Sequence, residues 1–498
     1  MKIEFHQTLS QFYLLSACLS CFIAYGCEKI NNQRSESVAA TTSAPTLTRV
    51  NNAAPSKKNT TAFQKNSENR AKNLILFIGD GMGISTITAG RIFDGQALGK
   101  KGEEHSLAFE DFDNVALVKT YNYDAQVPDS AGTATAIMSG YKARIGTLNV
   151  PPHDLLAGCG ARPAPPTLAK RAADKGLSVG IVATARITHA TPAAMFAHSA
   201  SRDWEANKDI KGVAAQSGCR SIAAQLIDPA SHINLALGGG AKEFTKAQLK
   251  DWNRQSENHI TLSKGAQLSA LSPADGQDVL GLFSTSHMAY EADRSKTDQP
   301  SLADMTRFAI SNLSARERGY VLMVEAGRID HAHHAGNAYR AMRDMQALNE
   351  AVKTAIAQTG DETTILVTAD HSHVFTIAGY PKRGNPILGL VERPAGLEDL
   401  LSGADAETKT ELAGDGKPYT TLGYHNGPGP LRHTHGPLTS NIVQSPDFQQ
   451  EAAVPLQSET HAGEDVAIYA TGPGAHRIRG VMEQNEISDV IDAALGLR

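Results

Sequence analysis

The sequence has no stripe of basic residues and very few cysteines. Its formal net charge is −5, and charged residues make up only 20% of it. That balance argues against a nucleic-acid-binding protein, which concentrates Lys and Arg on one face or segment. It also lacks an apolar run long enough for a membrane span. The best candidate, FYLLSACLSCFIAYG at 12–26, is too short and too rich in Ser. No internal repeat is evident, and the mean hydropathy of −0.28 fits a water-soluble body. Five cysteines among 498 residues leave only Cys159 and Cys219 beyond the N-terminal region. A metal centre in this chain therefore has to be built from nitrogen and oxygen.

The short apolar run reads as the core of a signal peptide over residues 1–26. It ends in AYGC, so Cys27 is a candidate for lipidation, as at a lipoprotein cleavage box. Tyr25 departs from the small residue usual there, and an ordinary signal cleaved nearby is the alternative. Either way the chain is exported, to the periplasm or cell envelope in a bacterium, and lipid on Cys27 would tether it to a membrane. Residues 27–70 are rich in Ser, Thr, Asn, Ala and Lys without an apolar period. Such a segment cannot bury enough surface to offset its ordering entropy, and it reads as a tether. The folded body is expected over 71–498. Export makes a Cys159–Cys219 disulfide the natural pairing, with two buried free thiols as the alternative.

Within the body, continuous apolar runs recur at LILFI, LSVGIVATA, INLALGGG, YVLMVEAG, TTILVTADH and DVAIYATG. Unbroken apolar runs mark strands buried on both faces. Amphipathic stretches such as SLADMTRFAISNLSA and AGNAYRAMRDMQALNEAVKTAIAQTG alternate with them. The alternation predicts an α/β fold with a doubly wound, mostly parallel central sheet flanked by helices. A Gly- and Pro-rich stretch, about 379–437, breaks the pattern and is expected to form an inserted, crown-like subdomain.

Three runs end in a carboxylate: Asp80, Glu325 and Asp370. Ligands of open α/β sheets bind beyond the carboxyl ends of the strands, so these acids are expected to converge. Histidines accompany them. EAGRIDHAHH sets Asp330 and His334 at i and i+4, one helical face. TADHSH sets His371 beside Asp370, and SETHAGED supplies His461 before a strand. Imidazole and carboxylate ligands with an open position suit catalytic zinc. VPDSAGTATAIMSG predicts a helix capped by Asp129 or Ser130 and stopped by Gly140. Whether Ser130 is only a cap or a nucleophile is open on these residues alone.

GDGMG, VPDSAGTATA, HATPAAMFAHSASRDW, EAGRIDHAHH, TADHSH and ETHAGEDVAIYATGPGAH together resemble the alkaline phosphatases, in that family's order and from about Asn73 onward. The likeness is to the animal-type branch, also seen in some bacteria. It implies a phosphomonoesterase with an alkaline optimum and two zinc ions and one magnesium ion. Ser130 matches the nucleophile that becomes phosphoserine, and Arg202 the arginine that grips phosphate. Asp330, His334 and His461 match one zinc site; Asp80, Asp370 and His371 match the other. Asp80, Thr191 and Glu325 match the magnesium ligands; His189 stands where the enterobacterial type has an aspartate near the magnesium, His331 where it has a lysine that contacts phosphate through water, and Asp129 is expected to support the substrate site. Cys159 and Cys219 match a disulfide of the animal-type enzymes. The resemblance also implies a homodimer acting on small phosphate monoesters. Ser284 stands where a glutamate ligand of the animal-type calcium site would be expected.

Two rivals bear on the reading. A phosphodiesterase of the same superfamily would share the zinc ligands but lack the magnesium set, and it often uses Thr as nucleophile. A phosphate- or metal-binding protein would bind phosphate tightly and release no alcohol.

Overall fold

The structure is a computed structural model that describes residues 70–402, 409–434 and 436–498. The expected signal peptide, Cys27 and nearly all of the tether lie outside the described residues. In chain order the strands are β1 (Asn73–Gly79), β2 (Asn114–Lys119), β3 (Ser178–Arg186), β4 (Leu235–Gly239) and β5 (His259–Leu262). Next come β6 (Asp278–Leu282), β7 (Tyr320–Ala326), β8 (Thr363–Ala369), β9 (Ser372–His373) and β10 (Phe375–Ile377). The last five are β11 (Leu422–Gly427), β12 (Ala452–Pro455), β13 (His461–Ala462), β14 (Val466–Thr471) and β15 (Gly480–Glu483).

Ten of them form the central sheet, in the order β15-β2-β14-β8-β1-β7-β3-β4-β6-β5. β14 alone runs against the rest, antiparallel to both β8 and β2. Every residue of β1, β7 and β8 is buried, which is why their sequences are unbroken apolar runs. The helices fall into two groups. Leu302–Ser314 packs on Ala338–Gln358, which also touches Ile84–Ala97. Glu486–Leu495 packs on Ser130–Ser139, and Arg171 ties the helix Leu168–Asp174 to it through Asp492 at 3.1 Å. Helices on both faces of a largely parallel sheet are the doubly wound arrangement the alternation predicts.

The sheet register places the acids. Gly79 pairs with Ala326 on one side and Ala369 on the other. Asp80 and Asp370 therefore leave neighbouring strands at the same level, one residue past their ends. Glu325, paired with Ile78 and Ala183, sits one step below. The three reach the same edge because the strands that carry them are adjacent and parallel.

The Gly- and Pro-rich segment contributes β11 to a separate three-stranded sheet, β10-β11-β12. Its partners at 375–377 and 452–455 lie outside the expected limits of 379–437. Glycine and proline interrupt the apolar pattern there, so the sequence does not mark where this sheet begins and ends. Cys159 and Cys219 are joined in a disulfide. Among the described residues, no helix is long and apolar enough to cross a membrane.

Candidate active site

Asp129 caps the helix Ser130–Ser139, and Gly140 ends it in the left-handed conformation. The cap does more than start a helix. Asp129 Oδ1 accepts from Gly132 N at 3.1 Å and from Asn122 Nδ2 at 2.9 Å. Its Oδ2 accepts from Gly146 N at 3.0 Å and from Arg202 Nη1 at 3.1 Å. One carboxylate thus links the start of the helix to the guanidinium. Ser130, the first residue of the helix, is 2% exposed. Its Oγ lies 3.1 Å from His371 Nε2 and 3.5 Å from Asp80 Oδ1. Backbone N–H groups and the positive helix end favour negative charge at this position.

Two candidate ligand sets meet here. In the first, His334 Nε2 and His461 Nε2 lie 3.1 Å apart, and they stand 3.2 Å and 3.3 Å from Asp330 Oδ1. In the second, His371 Nε2 is 3.3 Å from Asp80 Oδ1 and 3.4 Å from Asp370 Oδ2. Tetrahedral zinc with bonds of about 2.0–2.1 Å needs ligand atoms roughly 3.3 Å apart. All three separations of the first set and both His371 separations of the second meet that spacing, and Ser130 Oγ extends the second. The His371 and His461 rings stack at 3.6 Å and bring the sets side by side.

The tautomers fit a metal as well. His461 Nδ1 donates to Pro128 O at 2.8 Å, His334 Nδ1 to Glu459 O at 2.5 Å and His371 Nδ1 to Ser372 O at 3.3 Å. With the proton on Nδ1, each Nε2 lone pair points into its set, the arrangement a metal-binding imidazole adopts. Asp370 is pinned by N–H donors from Gly81 at 3.1 Å and His371 at 3.0 Å, and by Thr133 Oγ1 at 3.1 Å. Gly81 has φ +69°, and a Cβ there would meet the His373 ring at 2.3 Å, so only glycine fits.

A third group is oxygen-rich. Among the described residues, Asp80 Oδ2, Thr191 Oγ1 and both oxygens of Glu325 are buried and make no hydrogen bond of ordinary geometry, although Thr191 lies close enough to Glu325 to favour its charge. Hard oxygen ligands of this kind suit magnesium. His189 lies within ligand distance of Asp80 and Glu325 and accepts from Arg202 Nη2 at 3.1 Å. His331 stands beside it, with ring centroids 5.5 Å apart.

Electrostatics show what the protein alone leaves uncompensated. Burial and the neighbouring carboxylates of Asp370, Asp330 and Glu325 push Asp80 well above the ordinary carboxylate range. Burial, then Asp370, pushes Glu325 up to about 8. Asp330 goes the other way: burial opposes its charge, but His334, His373 and His461 hold it well below the ordinary range. Burial, reinforced by His461, keeps His371 neutral. Surplus buried negative charge at Asp80 and Glu325, beside a neutral His371, is what a bound cation relieves.

Several residues here carry no motif of their own in the sequence. His373 is fully buried as a side chain and lies 2.9 Å from Asp330 Oδ1. Glu459 holds its other nitrogen at 2.5 Å. Both residues lie two positions from a ligand, the repeat of an extended chain, which is the signal that could have found them. His287 joins His189 and His331 in a three-imidazole cluster, 4.1 Å from the His331 ring. Ser284 takes no part in the site; its hydroxyl donates to the carbonyl of His287 at 2.9 Å.

The sequence profile described as Alkaline phosphatase matches residues 71–497. The tissue-nonspecific alkaline phosphatase isozyme of Gallus gallus is 42% identical over 457 residues, 85% of this chain and 84% of that protein. The same isozyme of Homo sapiens is 39% identical over 86% of this chain and 84% of that protein. Among solved structures, the alkaline phosphatase of Thermus thermophilus superposes with a TM-score of 0.62 at 23% identity, covering 88% of this chain and 94% of that one. The enzyme of the Antarctic bacterium TAB5 gives 0.59 at 23% identity, over 86% and 100%.

Proposed function

The chain belongs to the alkaline phosphatase family, and from that premise we propose that it hydrolyses phosphate monoesters by double displacement on Ser130. The observation that carries the proposal is the position of Ser130 Oγ, 3.1 Å from His371 Nε2 at the start of a helix whose cap also holds Arg202. The serine oxygen attacks phosphorus, and the bond to the alcohol oxygen breaks. Water then attacks phosphorus in the phosphoserine, releasing inorganic phosphate and restoring the hydroxyl. Arg202 donates its planar fork to two phosphoryl oxygens. Asp129 aims that fork, and the first amides of the helix face the same charge.

Asp330, His334 and His461 would hold one zinc ion and Asp80, Asp370 and His371 a second, with Asp80, Thr191 and Glu325 holding magnesium. When bound, zinc supplies Lewis acidity to the serine hydroxyl, to the departing alkoxide and to water. The two sets differ in access. His334 is 30% exposed as a side chain, whereas His371 and Asp80 are sealed. The open set therefore suits the alcohol and water, and the sealed set suits the serine.

An exported chain at the bacterial envelope, a homodimer, lipid on Cys27 and a crown-like subdomain near 379–437 belong to the same reading. The test compares 4-nitrophenyl phosphate with its bis ester. Turnover that strongly favours the monoester, is lost on chelation and returns with zinc and magnesium is the expected result. Preference for the diester, or full activity after exhaustive chelation, contradicts it.

A further inference from the structure

The first ligand set is held by a residue outside it. Glu459 is 1% exposed. Its Oε1 accepts from Val374 N at 2.8 Å, and its Oε2 accepts from His373 Nδ1 at 2.5 Å. His373 in turn donates from Nε2 to Asp330 Oδ1 at 2.9 Å. The backbone of Glu459 acts as well: its carbonyl accepts from His334 Nδ1 at 2.5 Å, and its N–H donates to His334 O at 3.0 Å. Two residues on, His461 pairs with His373 across the β9–β13 bridge. A Cβ at Gly427 would come within 3.0 Å of Glu459 Cβ, so the chain closes tightly over this residue.

Each member of the set thus reaches Glu459 by a short route. Asp330 is reached through His373, His334 directly, and His461 along the same extended segment. We propose that Glu459 is the positioning residue of the Asp330–His334–His461 set. Its carboxylate fixes the His373 ring, and the ring occupies Asp330 Oδ1 on one side and so sets how that carboxylate is presented to a metal. This rests on the reading that the set binds zinc. Outer partners of metal ligands typically contribute about 10- to 100-fold in affinity.

Glutamine can take over the geometry. Its oxygen accepts from Val374 N, and its amide donates to a neutral His373 Nδ1, leaving Nε2–H on Asp330. Alanine cannot, and it strands a buried imidazole nitrogen. The experiment measures zinc affinity and release rate by competition with a fluorescent zinc chelator, on full-length wild type, Glu459→Ala, Glu459→Gln and His373→Ala.

One of two zinc equivalents should bind about 10- to 100-fold more weakly in Glu459→Ala. His373→Ala, which leaves the Glu459 backbone contacts in place, should weaken the same equivalent even if Glu459→Ala fails to fold. Glu459→Gln should stay within a few-fold of wild type, and excess zinc should restore turnover to the alanine variants. Wild-type zinc retention in both alanine variants, or a glutamine variant as weak as alanine, overturns the proposal while leaving the two-zinc reading intact. A wild-type chain that holds no zinc overturns the reading beneath it.

Discussion

At the scale of single residues, Arg202 and Asp129 divide one task. In the proposed reaction Arg202 meets the substrate charge, while Asp129 caps the helix and holds the guanidinium at 3.1 Å. Arg202→Ala should lower kcat/KM for 4-nitrophenyl phosphate about a hundredfold, the usual cost of removing one preorganised donor to developing charge. Asp129→Ala should cost less in catalysis but also about 0.5–2 kcal/mol of stability through the lost cap; steady-state kinetics and thermal melting separate the two effects. A second residue-scale prediction concerns Asp344, buried in the helix Ala338–Gln358. Burial pushes its carboxyl up to about 8. Because the folded-state value lies above the unfolded one, its contribution to stability is present at low pH and is lost as pH rises from about 4 to about 8. Asp344→Asn should remove that slope, so melting temperatures of variant and wild type compared from pH 5 to 8 should move in the variant's favour. Parallel curves would contradict it.

At the scale of elements, the strands that can be read from sequence are those buried on both faces. Leu74–Ile78 needs no alternation because helices cover both sides of β1. β2 alternates between buried and exposed positions, and β5 and β15 are four-residue strands at the sheet edges, so none of them stands out as an apolar run. The reversed direction of β14 has no local signature either, because it is fixed by pairing with β2 and β8. The site follows the same division. Ligands next to a strand end are legible, whereas His373 and Glu459 matter through contacts between distant segments. The helix Ser130–Ser139 gives a prediction at this scale. A Cβ at Gly132 would meet the Asn122 side chain at 2.4 Å, and Asn122 supports the Asp129 cap. Gly132→Ala should destabilise the protein by about 1–3 kcal/mol through overpacking and lower turnover as the cap shifts, read by melting curves and kcat.

For the whole molecule, cohesion comes from the continuous sheet and two reinforcements. The disulfide closes a segment with a sequence separation of 60, and the chain-entropy estimate for such a loop is roughly 4 kcal/mol. Cys159→Ser with Cys219→Ser should lower the melting temperature while leaving kcat per folded molecule near wild type, since neither cysteine touches the site. Cations held at the proposed sites would be the second reinforcement, because they would relieve the buried negative charge around Asp80 and Glu325. Removing them should lower the melting temperature and abolish activity together, and zinc with magnesium should restore both.

The proposed double displacement depends most on Ser130 being the group that accepts phosphorus. The direct measurement is turnover of 4-nitrophenyl phosphate by Ser130→Ala with its zinc content checked on the same sample. A covalent route through Ser130 predicts that the zinc content matches wild type and that kcat falls to below about a hundredth of wild type, a barrier increase of roughly 2.7 kcal/mol or more. Near-wild-type turnover in that zinc-loaded variant would contradict it.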